Sequence, residues 1–300
     1  MKVAAFNVKN LGLKKVSDSF VSDHLIQIIS RYSVVVILEV VDKDNKAKKM
    51  LLEKLNKTSE HSYEMAYSSS LGRDTYKEQF VYFYRRDEVE LVKNYQYKDN
   101  QPGDEDAFAR EPYILHFRCL NTVLKDLVLI PVHTKPEDAK KEVDELYDVV
   151  EEIRKEWKID NIMILGDFNA DGRYLSEKKK GSLRICSEPF RWLIDDSVDT
   201  TTSNCNDNTY DRIVVYGSDM LKAIVPNSAR ALNFQKEFSL TDKDALRISD
   251  HYPVEVELQV ELKTKPESKT KSPNKGPQKN AGAKRKPEQN SEAKTSAKRR

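Results

Sequence analysis

The sequence predicts a mixed α/β body of about 260 residues in which strands outnumber helices, followed by a tail with no core of its own. Three observations predict it. Short apolar runs, such as residues 34–38 and 162–165, have the length and branched side chains of strands buried on both faces. One long stretch, residues 137–157, instead places Val143, Leu146, Tyr147, Val150, Ile153 and Trp157 at helical spacing. The composition then breaks near residue 262. From Lys263 onward 13 Lys and Arg face 3 Glu, a net charge of +10, which leaves residues 1–262 at −8 of a total of +2. That tail lacks aromatic and branched aliphatic residues, cannot bury enough to offset the entropy of folding, and is expected to be disordered.

In chain order, residues 2–8 form an apolar strand that reaches Asn7. Ser17 caps a helix to about residue 30 that carries Val21, Leu25, Ile28 and Ile29 on one face. The 34–38 run ends at Glu39. Asp44 caps a second helix bearing Ala47, Met50, Leu51 and Leu55, and residues 63–67 read as a strand. A polar loop, 68–77, leads to Glu78 and a strand over 80–84. After a loop rich in Asp and Tyr come strands over 113–119 and 126–132, the second ending at His133. Pro136 stands just before the long helix. The 162–165 strand is broken by Gly166, with Asp167 and Asn169 at i and i+2, so extended chain would project both to one side. A short helix near 189–193, a strand over 213–216 preceded by Asp211, and a strand over 253–258 preceded by Asp250 and His251 complete the body.

One pattern recurs along this chain. A buried strand ends in, or begins beside, a polar residue able to bind a cation, donate to phosphate or move a proton: Asn7, Glu39, Glu78, His133, Asp167 with Asn169, Asp211, and Asp250 with His251. Singly, each has a plain structural explanation as a turn or rim residue. If these strand ends converge at one edge of a sheet, they form an acidic pocket with two histidines. The chain has no Walker lysine loop, no serine nucleophile elbow and no cysteine cluster for zinc. Carboxylates and Asn suit Mg²⁺ or Ca²⁺, and His beside a carboxylate suits proton transfer. Metal, base and acid together describe phosphodiester hydrolysis.

The motifs F-N-V at 6–8, L-G-R-D-T-Y-K-E-Q at 71–79, R-E-P-Y at 110–113, P-V-H-T at 131–134, G-D-F-N-A at 166–170, T-Y-D-R-I-V-V at 209–215 and S-D-H-Y-P-V at 249–254 complete the picture. Over nearly all of residues 1–260 the chain resembles the deoxyribonuclease I family, within the endonuclease/exonuclease/phosphatase superfamily, with the gamma branch as the nearest likeness. The resemblance implies a four-layer sandwich of two packed mixed β-sheets flanked by helices. It implies endonucleolytic cleavage of double-stranded DNA to 5′-phosphate and 3′-hydroxyl ends, with Mg²⁺ and Ca²⁺ as activating ions. It implies His133 with Glu78 and His251 with Asp211 as the catalytic pairs. Glu39, supported by Asn7, with Asp167 and Asp250 would hold metal; Asn169 and Arg110 would meet phosphate, and Tyr76 would pack in the minor groove.

The chain also departs from that family. Gly172 stands where the family has one half of a disulfide, and Cys205 is displaced from the other half, so that bridge is expected to be absent unless Cys186 and Cys205 pair. Met1 leads directly into a strand, with no signal peptide ahead of it. The expectation is therefore an intracellular protein, nuclear or cytoplasmic, or a secreted one if a leader was removed. The tail clusters Lys284-Arg285-Lys286 and Lys298-Arg299-Arg300 suit nuclear import or electrostatic attachment to DNA and chromatin. A monomer without a membrane span and without actin binding is expected. Two other readings use the same residues: another phosphodiesterase of the superfamily, or an inactive DNA-binding relative. Y-K-E-Q and Y-D-R-I-V argue against the first, and the complete set of histidines and carboxylates argues against the second.

Overall fold

A computed structural model describes residues 1–99, 106–202 and 207–261. The expected disordered tail lies outside them, and Met1–Glu261 forms one compact unit. The described strands are β1 Lys2–Leu11, β2 Val34–Val40, β3 Tyr63–Tyr67, β4 Gln79–Arg85, β5 Val89–Gln96, β6 Tyr113–Cys119, β7 Asp126–His133, β8 Ile162–Asp167, β9 Phe190–Trp192, β10 Asp211–Tyr216, β11 Arg230–Ala231 and β12 Val254–Glu257. They form two six-stranded mixed sheets, ordered β11-β12-β1-β2-β4-β3 and β5-β6-β7-β8-β10-β9. The helices are α1 Leu13–Ser17, α2 Ser19–Ile29, α3 Lys46–Thr58, α4 Ala139–Trp157, α5 Glu177–Lys180, α6 Ser218–Ala223, α7 Phe234–Glu237 and α8 Asp242–Ile248.

The period of two along each central strand separates two cores. Val3, Ala5 and Val36 of the first sheet meet Leu129, Met163, Leu165 and Ile213 of the second in the middle of the molecule. Ala4, Phe6, Val35 and Ile37 point the other way, onto Leu25, Ile28, Leu51 and Leu55 of α2 and α3. Val128, Ile130, Ile162 and Ile164 likewise point outward, onto Val143, Leu146, Val150 and Ile153 of α4. The order helix, sheet, sheet, helix is the four-layer sandwich that the sequence resemblance implies. It also explains why residues 34–38 and 162–165 are apolar without alternation: both of their faces are covered.

Several local expectations are corrected. The first predicted helix is split, and Asp18, not Ser17, caps its longer half by accepting from Val21 N. Asn45 in the left-handed region precedes α3, and the carboxylate of Asp42, not Asp44, receives Lys46 N and Lys48 N. Met50 lies on the exposed side of that helix. Residues 89–96, read as loop, form β5, an edge strand whose Glu, Lys and Asn face solvent and so hide its period. The short helix expected near 189–193 is instead β9, because Phe190, Arg191 and Trp192 find the open edge of β10 to pair with. Pairing at a free edge outweighs so weak a helical signal.

Candidate active site

The two central pairs, β1 with β2 and β7 with β8, are parallel, while β12, β4 and β10 run against their neighbours. C-terminal ends of the first four strands and N-terminal ends of the other three therefore meet at one edge. A hydrogen bond from Asn7 Nδ2, just before the bend within β1, to Asp167 Oδ2 at the end of β8, 3.1 Å long, joins the two sheets there. The strands are also bent at this edge. Glu39 has φ 55° and the register of β2 against β4 slips around it, while Lys9 and Asn10 take positive φ beyond Asn7. Irregularities of this kind re-aim side chains that a regular strand would send into the core. Gly166, with φ 140°, lets β8 approach β7 so closely that a Cβ would stand 2.1 Å from Val132 O.

Two imidazole–carboxylate pairs result. His133 Nδ1 is bonded to Glu78 Oε1, and His251 Nδ1 lies 2.7 Å from Asp211 Oδ2. Their Nε2 atoms both face one carboxylate oxygen, Asp167 Oδ2, at 3.8 and 3.7 Å. Around this centre Glu39 Oε1 accepts from Asn7 Nδ2 at 3.0 Å and Glu39 Oε2 from Asn10 N at 3.0 Å. Asp250 is 4.0 Å from His251 Nε2 and is ion-paired with Lys9. Arg110 Nε stands 2.8 Å from Glu78 Oε1, and its Nη1 donates to His133 O at 3.4 Å. Tyr76 donates its hydroxyl to Asn10 Oδ1 at 3.0 Å and is 42% exposed at the rim.

All eleven residues singled out in the sequence thus belong to one neighbourhood, with two differences in detail. The chain turns at Asn169, whose φ is 47°, so it does not extend past Asp167 as i and i+2 of a strand. Asp167 Oδ1 closes that turn on Asn169 N, and Asn169 Nδ2 donates to Thr134 O at 3.1 Å. Asn7 presents its amide nitrogen between two carboxylates, while its oxygen accepts from Lys9 N. A donor placed there relieves the repulsion of two neighbouring anions. Sequence reasoning missed Arg212, although it sits in the quoted Y-D-R motif. Wholly buried, it donates to Thr209 O, Ile194 O and Ala170 O and lies 2.6 Å from Asp196 Oδ1, so it ties three loops behind Asp211. Where the family disulfide would run, a Cβ on Gly172 would lie 3.0 Å from Asn208 Oδ1, and Asp171 Oδ2 accepts from Thr209 N at 2.7 Å instead. Cys119 and Cys186 are free thiols, and Cys205 is outside the described residues.

The donor set fits a hard divalent cation. Ligand atoms of Asp167, Asp211 and His251 lie within 4.8 Å of one another, and Glu39 and Asp250 add further carboxylates nearby. Among the described residues Asp211 Oδ1 and Glu78 Oε2 are buried with no hydrogen-bond partner. An oxygen-rich, acidic cluster of this kind is what Mg²⁺ or Ca²⁺ prefers.

The electrostatics of the second pair are directional. Burial pushes the Asp211 carboxyl up to about 6 against the pull of His251. Burial opposes charge on His251 as well, but Asp211, Asp167 and Asp250 outweigh it and raise the ring to about 10. The proton at neutral pH therefore rests on the imidazole. Since the folded value exceeds the ordinary 6.5, the stability this ring contributes is complete below 6.5 and is lost as pH rises through about 10. Thermal melts in EDTA should show the midpoint falling across that window, and falling less in His251→Gln. An equal slope in both proteins would count against the pairing.

A double sheet with paired histidines and carboxylates at one edge carries the groups that phosphoester hydrolysis can use, and the family comparison gives the class. The model of the Endonuclease/Exonuclease/phosphatase family matches residues 4–251, and the chain belongs to that family. Within it the chain is 44% identical to mouse Deoxyribonuclease-1-like 2 over 257 residues, covering 85% of this chain and 91% of the relative. It is 40% identical to human Deoxyribonuclease gamma over 262 residues, covering 86% of each, and 41% identical to rabbit (Oryctolagus cuniculus) Deoxyribonuclease-1 over 260 residues, covering 86% and 92%. Among solved structures, the human Nocturnin catalytic domain superposes with a TM-score of 0.61 at 15% identity, covering 87% of this chain and 94% of that one, a likeness of fold.

Proposed function

We infer that this chain is a deoxyribonuclease: a divalent-cation-dependent endonuclease that hydrolyses double-stranded DNA to 5′-phosphate and 3′-hydroxyl ends. The observation that carries the reading is the facing of two histidine–carboxylate pairs across Asp167. Glu78 and Asp211 bind the Nδ1 atoms, which fixes each ring and turns its Nε2 toward the centre. One Nε2 accepts a proton from the attacking water as the O–P bond forms. The other delivers a proton to O3′ as the P–O3′ bond breaks, so the phosphate stays on the 5′ side. Arg110 and Asn169 donate to the phosphoryl oxygens as their charge grows. Glu39, Asp167 and Asp250 are the residues that would hold Mg²⁺ or Ca²⁺, and a bound cation supplies charge neutralisation at the phosphoryl group. Tyr76, exposed at the rim, would lie against a sugar in the minor groove. The basic tail would add DNA or chromatin affinity, or nuclear import.

The test is nicking of a supercoiled plasmid by purified protein in Mg²⁺ plus Ca²⁺ and in EDTA, with end-group analysis of the products. Nicking is expected only with the ions, and the 5′ ends should accept label from a kinase only after phosphatase treatment. Cleavage in EDTA, or products bearing 5′-hydroxyls, would refute the mechanism.

A further inference from the structure

Glu142 on α4 has no part in the chemistry above, yet it is 1% exposed. A carboxylate that deep is costly unless it is well bonded. Its Oε1 accepts from Lys135 N at 3.0 Å, and the backbone amide of Ala109, beside the same carboxylate, favours its charged form against burial. These two amides belong to the two segments that carry site residues on this side. Lys135 follows His133 by two positions, and Ala109 immediately precedes Arg110. The segments also touch directly through Arg110 Nη1 and His133 O. From Glu142 to Ala109, Arg110, His133, Lys135 and back to Glu142 the contacts close a ring. On its other side the 133–135 segment is held by Thr134 N to Asp167 O at 3.1 Å and Thr134 Oγ1 to Phe168 O at 2.9 Å. The segment is thus fixed from β8 on one side and from α4 on the other.

We propose that Glu142 is a positioning residue for the reaction: it locks the Arg110 and His133 segments together, so that the guanidinium and the imidazole keep one geometry relative to the phosphate. The inference rests on the nuclease reading. The expected signature is kinetic. Glu142→Gln keeps the size of the side chain but sets an amide NH₂ against one of two N–H donors. A slackened ring displaces groups that act in the transition state, and displacements well under 1 Å are enough to cost about tenfold. The turnover number should fall by that factor while KM for DNA changes less than about twofold.

The experiment is a double-mutant cycle on plasmid nicking, run with the full chain well below its melting temperature and at a pH above about 7, the value to which burial lifts Glu142. In the Arg110→Ala background the ring is already open, so the Glu142→Gln penalty should shrink to about threefold or less. The same fold loss in both backgrounds, or no loss in otherwise intact protein, would overturn the proposal. Should Glu142→Gln fail to fold, Glu142→Asp, which keeps the charge and shortens the reach, is read in the same cycle. Nicking by the unmodified protein in the same assay reports on the nuclease reading separately.

Discussion

Gln at His133 or at His251 is expected to lower plasmid nicking by about 10² to 10⁴-fold, because the proposed mechanism asks each ring to move a proton. The two variants should differ in stability. Without the His133 ring, Glu78 still has Arg110 Nε 2.8 Å away as a counter-charge. Without the His251 ring, Asp211 is left wholly buried, with Oδ1 already lacking a partner and no cation in its place. Removing one member of a buried pair costs about 3–5 kcal/mol when the other stays charged. His251→Gln should therefore lose clearly more stability in urea titrations than His133→Gln, while both lose activity. The burial of Asp211 also raises its pKa to about 6, so His251→Gln should regain part of its stability as pH falls and the carboxyl takes up a proton. Activity within tenfold of the parent in both variants would remove the histidines from the mechanism.

Asp167→Asn is expected to have an effect of similar size, by a different route. Asp167 Oδ2 accepts from Asn7 and stands near both imidazoles, so one atom meets the other sheet and both rings. An amide in its place keeps the shape but removes a charge that adds to Glu78 in raising His133 and to Asp211 in raising His251. It also removes a carboxylate from the donor set that suits a hard cation. Nicking should fall at least about 10²-fold, as for the loss of a transition-state electrostatic partner, and the divalent-ion concentration needed for half-maximal activity should rise. Direct binding of Mg²⁺ or Ca²⁺ by calorimetry gives a second readout independent of turnover. Unchanged ion affinity together with unchanged activity would show that Asp167 is only a strand-end residue.

Much of this site was legible because its residues sit where apolar runs stop. Asn7, Glu39, His133 and Asp167 end strands or lie at their bends, and Glu78, Asp211 and His251 stand at or just before strand starts. Glu142 and Arg212 were not legible. A Glu in a helix with an acidic, solvated face, or an Arg after an Asp, reads as surface, and only packing reveals that both are buried. Lys9 was equally hidden, because its pairing with Asp250 spans most of the chain.

The sequence by itself determined the strand-rich α/β class, the apolar runs of the central strands, the basic tail and the list of residues able to do phosphodiester chemistry. It marked each of those residues separately. Only the tertiary structure decided that they share one edge, since that depends on which strands run parallel and which run against them. With β12, β4 and β10 reversed relative to β1, β2, β7 and β8, the starts of some strands come to lie beside the ends of others. Local sequence records the polarity of a strand end but not the direction of its neighbour. Direction is settled by the crossovers and by the burial of both sheet faces, and those belong to the folded chain as a whole.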